Sequence, residues 1–279
     1  WVQQFRWGTG WLVGSCAAVG MVYEGVRAVR TPAPRAGRWV LLAWVVPMFA
    51  FVGGLHAKFP RYVLPILPVL LIYAAQAVMA ATEIRPAVFT TVSVLLVGAS
   101  LARAAALAGM YGVPHPWVAA SEWLSARAVP GARIAVEAWD HPLPVDGAGF
   151  ELLELPVFEE ESEEKWRAME RVLDEADYLV VASRRGYATL ARERSGYLRT
   201  ARYYGDLFRG ELGFAPAACF GRYPRLGPLG FGDDPTAGLG FSLPEGCGVE
   251  AGAVVRLGRL DESFVVYDHP QVVVFVNER

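Results

Sequence analysis

The sequence predicts a membrane all-α bundle of about four transmembrane helices, followed by a soluble α/β domain on the extracytoplasmic side. Mean hydropathy is +0.29, and most of the 26 Lys and Arg and 28 Asp and Glu residues follow Trp117. The part before Trp117 contains long apolar segments, and a bilayer core of about 30 Å needs roughly 20 apolar residues per helix. The predicted domains are therefore residues 1–112 and residues 113–279.

The apolar segments are predicted to be helices, because every backbone polar group in hydrocarbon needs a partner within its own segment. Membrane helices tolerate proline, so Pro47, Pro65 and Pro68 are expected to kink theirs. The four segments cover residues 7–26, 39–55, 62–81 and 86–111.

The loop between the first two segments sets the orientation. It carries Arg27, Arg30, Arg35 and Arg38 against Glu24 alone, and such a cluster in a short loop marks the cytoplasmic face. Alternation then places residues 56–61 and everything after Tyr111 outside. We expect an integral protein of the cytoplasmic membrane with an extracytoplasmic soluble domain.

The soluble part alternates between the periodicities of helices and strands, which is typical of an α/β sheet. We expect a closing hairpin across His269-Pro270. A long Gly- and Pro-rich loop is expected at residues 223–252, and its role stays open. Helices are predicted at 117–128, 163–176, 184–193 and 197–213, and strands at 133–139, 178–182, 217–220, 264–267 and 272–276.

Charge and cysteine content limit the functional classes. The net charge is −2 without a long basic run, so a nucleic-acid partner is excluded. Only Cys219 and Cys247 are placed to form a disulfide, and their pairing stays open. The chain begins with Trp1 and shows no signal-peptide pattern, so we expect a longer N-terminal part.

The stretch from His56 to Tyr62 is the strongest candidate site. It places Lys58 and Arg61 in a tight outer loop immediately before an apolar helix. A guanidinium fork and an ammonium group suit a phosphate, and a lipid phosphate is the anion available at that depth. The alternative is that both cations are ordinary interfacial anchors.

Two Asp-His pairs follow predicted strands, Asp140-His141 and Asp268-His269. Such pairs can form metal or acid–base sites. Each is followed by proline, so we expect turns in which Asp caps backbone amides.

Three further patterns have both a functional and a structural interpretation. The turn from Ser183 to Gly186 could bind an anion at a helix N-terminus. The acidic run 159–164 lacks the spacing of a calcium loop and is expected to be a solvated helix start. The aromatic residues at 197, 203, 204 and 208 are expected in the core rather than on a sugar-binding surface.

The pattern Lys58-x-x-Arg61-Tyr62-x-Leu64-Pro65-x-x-Pro68 resembles a region of membrane glycosyltransferases of the GT-C superfamily. The relatives it most resembles are the protein O-mannosyltransferases and lipid A aminoarabinose transferases of glycosyltransferase family 39. The resemblance implies transfer of a sugar from a polyprenyl-phosphate donor to an outer acceptor, a protein or a glycolipid. It also implies that Lys58, Arg61, Tyr62 and His56 lie at the donor's lipid phosphate.

The tail resembles the outer domain of multi-spanning proteins assigned to such transferases and of related proteins without an assigned function. The segments that carry this resemblance are Ala176-Asp-Tyr-Leu-Val-Val-Ala-Ser183, Tyr203-Tyr-Gly-Asp-Leu-Phe208, Glu211-Leu-Gly-Phe214 and Glu262-Ser-Phe-Val-Val-Tyr-Asp-His-Pro270.

The resemblance further implies a catalytic base, an acidic residue in the first outer loop, acting with a divalent metal. No carboxylate within the predicted membrane part fits that position, so the base is expected N-terminal to Trp1. We expect residues 1–279 alone to be inactive and to carry no cofactor or metal site. The alternative function is a non-catalytic membrane protein whose outer domain binds a partner or cell-envelope component.

Overall fold

The computed structural model describes residues 8–30, 36–55, 59–82, 86–138, 143–145, 149–193 and 196–279. The chain forms two compact units, residues 1–104 and residues 105–279.

The first unit is helical, as its apolar segments predict. Three stretches are long and apolar enough to cross a membrane, Trp11–Arg30, Arg61–Ala81 and Phe89–Arg127, whereas the apolar helix Trp39–Gly54 is shorter. The predicted membrane bundle is therefore supported, and its count of four spans stays a prediction. The helices are α1 (Trp11–Arg30), α2 (Ala36–Gly54), α3 (Leu67–Thr82) and α4 (Pro86–Ala108).

Helices α1 and α3 pack closely through small residues. Gly14, Ala17 and Gly20 are buried along one stripe of α1. A Cβ added at Gly20 would lie 1.8 Å from the carbonyl oxygen of Tyr73 in α3. Small residues let helix backbones approach in this way where no hydrophobic effect drives them together.

The three prolines behave differently from one another. Pro47 lies inside α2, as predicted. Pro65 instead belongs to a 3₁₀ turn, Pro60–Ile66, and Pro68 lies in the first turn of α3. The first turn of a helix tolerates proline because its N–H groups lack intrahelical partners.

The second unit is a mixed α/β fold. A 3₁₀ turn, Gly109–Gly112, follows α4 directly. The elements are α5 (Pro116–Arg127), β1 (Arg133–Glu137), β2 (Glu151–Leu155), α6 (Glu163–Glu175), β3 (Tyr178–Val181), α7 (Arg185–Thr189), α8 (Leu198–Phe208), β4 (Phe214–Phe220), β5 (Arg225–Leu226), β6 (Leu229–Gly232), β7 (Ala253–Arg256) and β8 (Val272–Asn277).

The main sheet has the strand order β2-β1-β3-β8-β4. Strands β1, β2 and β3 are parallel, and β8 runs antiparallel to both of its neighbours. The chain leaves β1 for β2 on one side and returns to β3 on the other. The order of the parallel strands therefore reverses between β1 and β3.

Buried side chains cover both faces of this sheet. One cluster joins α6 and α8 to the sheet through residues such as Met169, Tyr204 and Phe275. The other places Ala120 and Leu124 of α5 against Ile134 and Val274. The predicted α/β architecture is confirmed at this level.

Two predictions for the C-terminal part were wrong. Residues 264–267 form no strand, because Glu262–Phe264 is a 3₁₀ turn and β8 pairs with β3 and β4 instead of a hairpin partner. The predicted long loop contains β5 and β6, which form a second sheet with β7. The unpredicted strand β2 lies at an edge of the main sheet.

Candidate functional site

The predicted donor site centres on Arg61, at the start of the 3₁₀ turn that leads into α3. The Arg61 guanidinium lies 4.5 Å from the Phe59 ring centroid and 5.7 Å from that of Tyr62. The two rings meet edge to face, 5.6 Å apart. Cation–π contacts of this kind orient a guanidinium without neutralising it.

The surroundings of Arg61 leave its charge available. Its side chain is exposed, and within the described ranges its contacts are with these two rings. Trp44 donates a hydrogen bond of 3.2 Å to the Pro65 carbonyl, which ties α2 to the turn. Arg61 and Tyr62 thus lie together, whereas the predicted partners His56 and Lys58 fall outside the described residues.

The Ser183–Gly186 turn, for which anion binding was one of two interpretations, is occupied by carboxylates of the protein. Arg184 forms an ion pair with Asp233, and both side chains are 2% exposed. Arg185 contacts Glu262 at 2.8 Å. The cationic side chains of the turn therefore hold other parts of this unit in place.

The structure describes one of the two Asp-His pairs. Asp140-His141 lies outside the described residues. At the other pair, Asp268 accepts a 2.9 Å hydrogen bond from the Tyr111 hydroxyl, whereas His269 is buried with Nδ1 unbonded among the described residues. Burial, followed by the charge of Arg184, lowers the pKa of His269 to about 4. His269 is therefore neutral at physiological pH.

A cluster of buried polar side chains was not predicted. Glu137 ends β1, Arg184 follows β3, and Gln271 precedes β8, so these residues meet at the carboxyl edge of the parallel strands. Open α/β sheets bind ligands at this edge, where the strand order reverses. The alternation of helices and strands in the sequence indicated an α/β sheet. It does not reveal the order of the strands, and so it did not locate this edge.

Hydrogen bonds fill much of this cluster. Tyr204 donates to Glu137 at 2.5 Å, and Tyr187 donates to the Gln271 side-chain oxygen at 2.7 Å. The Gln271 amide donates to the Tyr223 hydroxyl at 2.9 Å. Burial raises the pKa of Tyr187 and raises that of Tyr223 to about 12. The tyrosines are therefore neutral, and the cluster acts as a structural network.

Cys219 and Cys247 form a disulfide with Cα atoms 5.3 Å apart. This settles the pairing that the sequence left open. The bond ties β4 to the segment between β6 and β7. Disulfides persist in oxidising compartments.

The acidic run starts helix α6, as predicted, although one of its members is not solvated. Ser162 caps α6 by accepting from the Lys165 amide at 3.1 Å. Glu161 accepts from the Thr200 amide and hydroxyl. Buried Lys165 donates to Thr200 at 2.9 Å, and burial lowers its pKa. This interaction joins α6 to α8.

The aromatic set lies mainly in the core, as predicted. Tyr203 and Tyr204 are buried, and Phe208 packs against the same cluster. Tyr197, half buried, donates to the Phe158 carbonyl at 3.0 Å. These rings do not present a surface for stacking a sugar.

Comparison with protein-family models, curated proteins and solved structures finds no significant match. The interpretation of this chain therefore depends on its own residues. Among the described residues, no group of three or more His, Cys, Asp or Glu side chains could hold a metal ion. The exposed guanidinium of Arg61 can bind an anion at the start of the apolar stretch Arg61–Ala81.

Proposed function

We propose that this chain is the C-terminal part of a membrane glycosyltransferase of the GT-C type. It would transfer a sugar from a polyprenyl-phosphate donor to an extracytoplasmic acceptor. The observation that carries the proposal is the exposed Arg61 guanidinium, held by Phe59 and Tyr62 at the start of an apolar segment. Lys58, Tyr62 and His56 complete the proposed phosphate site.

The role of Arg61 follows from the charge that the reaction develops. As the sugar leaves, negative charge grows on the donor's phosphate, and a fixed guanidinium stabilises that charge more in the transition state than in the ground state. The cation–π contacts fix the position of the guanidinium before the reaction, so little reorganisation is needed.

The proposed orientation places this turn and the α/β unit outside. The last turn of α1 contains Arg27 and Arg30, and these basic residues favour a cytosolic location for the C-terminal end of that helix. The Cys219–Cys247 disulfide favours an oxidising compartment for the α/β unit.

The test uses the complete protein in membranes, with radiolabelled polyprenyl-phosphate sugars as donors and envelope proteins and lipids as acceptors. Arg61→Ala is expected to lower transfer about 100-fold, comparable to loss of one transition-state hydrogen-bond donor. Leu64→Ala, which alters an exposed residue of the same turn, is the matched control and should keep near wild-type transfer.

Near wild-type transfer by the Arg61→Ala protein would contradict the assigned role. A complete protein that binds none of the labelled donors would instead favour the alternative, a non-catalytic membrane protein with a binding domain outside. Size-exclusion chromatography in detergent would verify that both variants are folded.

A further inference from the structure

The α/β unit contains a cavity of about 470 Å³, within the range of small-molecule sites. Its walls come from the segment that follows α4, from the end of β4, and from the loop closed by the disulfide. They include Met110, Val113, Phe220, Gly248 and both cysteines. Arg61 is not among the cavity's lining residues.

Arg222 fixes one wall of this cavity. Its guanidinium is buried and donates to the carbonyls of Met110 at 3.1 Å, Val113 at 3.2 Å and Asp268 at 2.8 Å. On another wall, the disulfide joins Cys219 to Cys247. The cavity is therefore preformed, and binding there requires little ordering of the chain.

The cavity lies beside the end of the apolar helix α4. The turn that begins at Gly109 follows Ala108 directly, and a Cβ at Gly109 would lie 3.6 Å from the Arg225 carbonyl. The β5–β6 hairpin therefore contacts the point where α4 ends. Where α4 crosses a membrane, this point lies at the level of the lipid headgroups.

The lining of the cavity combines a cation with apolar residues. Arg225 lines the cavity and is exposed, and its guanidinium makes no ion pair with a described residue. Val113 and Val249 also line the cavity, and Val113 is 51% exposed. Glu250, also lining the cavity, can accept hydrogen bonds from hydroxyl groups.

We infer that this cavity binds the phosphate-bearing headgroup of a membrane-anchored lipid. Arg225 pairs with the phosphate, Glu250 accepts from headgroup hydroxyls, and Val113 and Val249 contact the lipid chains. The apolar residues distinguish a lipid from free phosphate, which would gain nothing from them. The inference goes beyond the proposed transferase and shares with it only a membrane-spanning α4.

The test measures lipid binding to the full chain in detergent by native mass spectrometry. The probes are dihexanoyl-phosphatidylglycerol, dihexanoyl-phosphatidylcholine and inorganic phosphate. The wild-type chain is expected to bind the phosphatidylglycerol most tightly. Arg225→Gln should weaken that binding about tenfold, as expected for loss of one charge-assisted contact. Arg256→Gln, an exposed arginine of the same small sheet outside the cavity, should leave it unchanged.

A second pair of variants tests the cavity itself. Gly248 lines the cavity, and a Cβ added there meets no atom within 4 Å, so Gly248→Leu adds an apolar side chain at the cavity without a close contact at its Cβ. This variant should lose phosphatidylglycerol binding and keep its thermal unfolding midpoint. Gly196→Leu, equally open but away from the cavity, should retain binding.

Competition identifies the lipid. If undecaprenyl phosphate displaces the bound dihexanoyl-phosphatidylglycerol more strongly than added phosphatidylglycerol does, the site is assigned to an isoprenoid lipid. The reverse order assigns it to a phospholipid. Equal weakening by Arg225→Gln and Arg256→Gln, unchanged binding by the Gly248→Leu protein, or equal competition by inorganic phosphate would overturn the inference. None of these results depends on sugar transfer.

Discussion

His269 shows how a single buried side chain can make the stability of the α/β unit depend on pH. Burial and the nearby Arg184 charge lower its pKa from 6.5 to about 4, although Asp268 acts in the opposite direction. The unfolded chain therefore binds a proton below pH 6.5, whereas the folded chain stays neutral until about pH 4. Stability is full above pH 6.5 and is lost as the pH falls through this window.

We predict that this residue alone lowers the free energy of unfolding by about 3 kcal/mol between pH 7 and pH 4. His269→Gln removes the titrating group, so the variant's unfolding midpoint should depend less steeply on pH than that of the wild type. The measurement is thermal unfolding, followed by near-ultraviolet circular dichroism, at several pH values. Parallel pH profiles for the two proteins would contradict this prediction, whatever their absolute stabilities.

Arg184 illustrates what the sequence could not reveal at the scale of residues. The sequence showed that this basic turn follows a buried strand, and anion binding was one of two interpretations of it. The partner, Asp233, lies 49 residues further along the chain, in a segment whose Gly and Pro content favoured an irregular loop. By contrast, the contact between Arg61 and Tyr62 is local and was predictable from their adjacency.

At the scale of elements, the close approach of α1 and α3 depends on Gly20. Any Cβ there would meet the Tyr73 carbonyl at 1.8 Å, so the helices must separate to accept alanine. Gly25, in the same helix, has open space for a Cβ.

Gly20→Ala is therefore predicted to destabilise the bundle by about 2 kcal/mol, as overpacking commonly does. Gly25→Ala should be neutral or slightly stabilising, because alanine favours a helix more than glycine does. The two variants are compared by heating the detergent-solubilised proteins. Size-exclusion chromatography then measures how much of each protein remains in the non-aggregated peak. Equal losses would show that α1 and α3 do not pack through Gly20.

Local patterns predicted the helices of both units and the central strands of the α/β unit, because apolar periodicity reports burial directly. They failed where pairing partners are distant. Strand β8 pairs with β3 and β4, whose residues lie far away in the sequence, and so residues 264–267 seemed the natural partner. Strand β2 was missed because Glu151 and Glu154 interrupt its apolar pattern at a sheet edge, where one polar side is tolerated.

At the scale of the whole molecule, the proposed sugar transfer depends on which side of the membrane each part occupies. The basic last turn of α1 and the disulfide of the α/β unit favour opposite sides for these two regions. Val29 and Val129 report on them, because both are exposed, at 78% and 69%. In the proposed orientation, the substitutions Val29→Cys and Val129→Cys place the cysteine on opposite sides of the membrane.

With Cys16 replaced by serine, the engineered cysteine is the reactive thiol, since Cys219 and Cys247 are joined. A membrane-impermeant maleimide should label the Val129→Cys protein on intact cells and the Val29→Cys protein only after permeabilisation. Labelling in the reverse order would place the α/β unit in the cytosol. Because Arg61 begins the span that follows α1 and α2, the same result would move it away from any outward-facing sugar donor. Labelling in the expected order would place Arg61 on the side where transfer is proposed to occur.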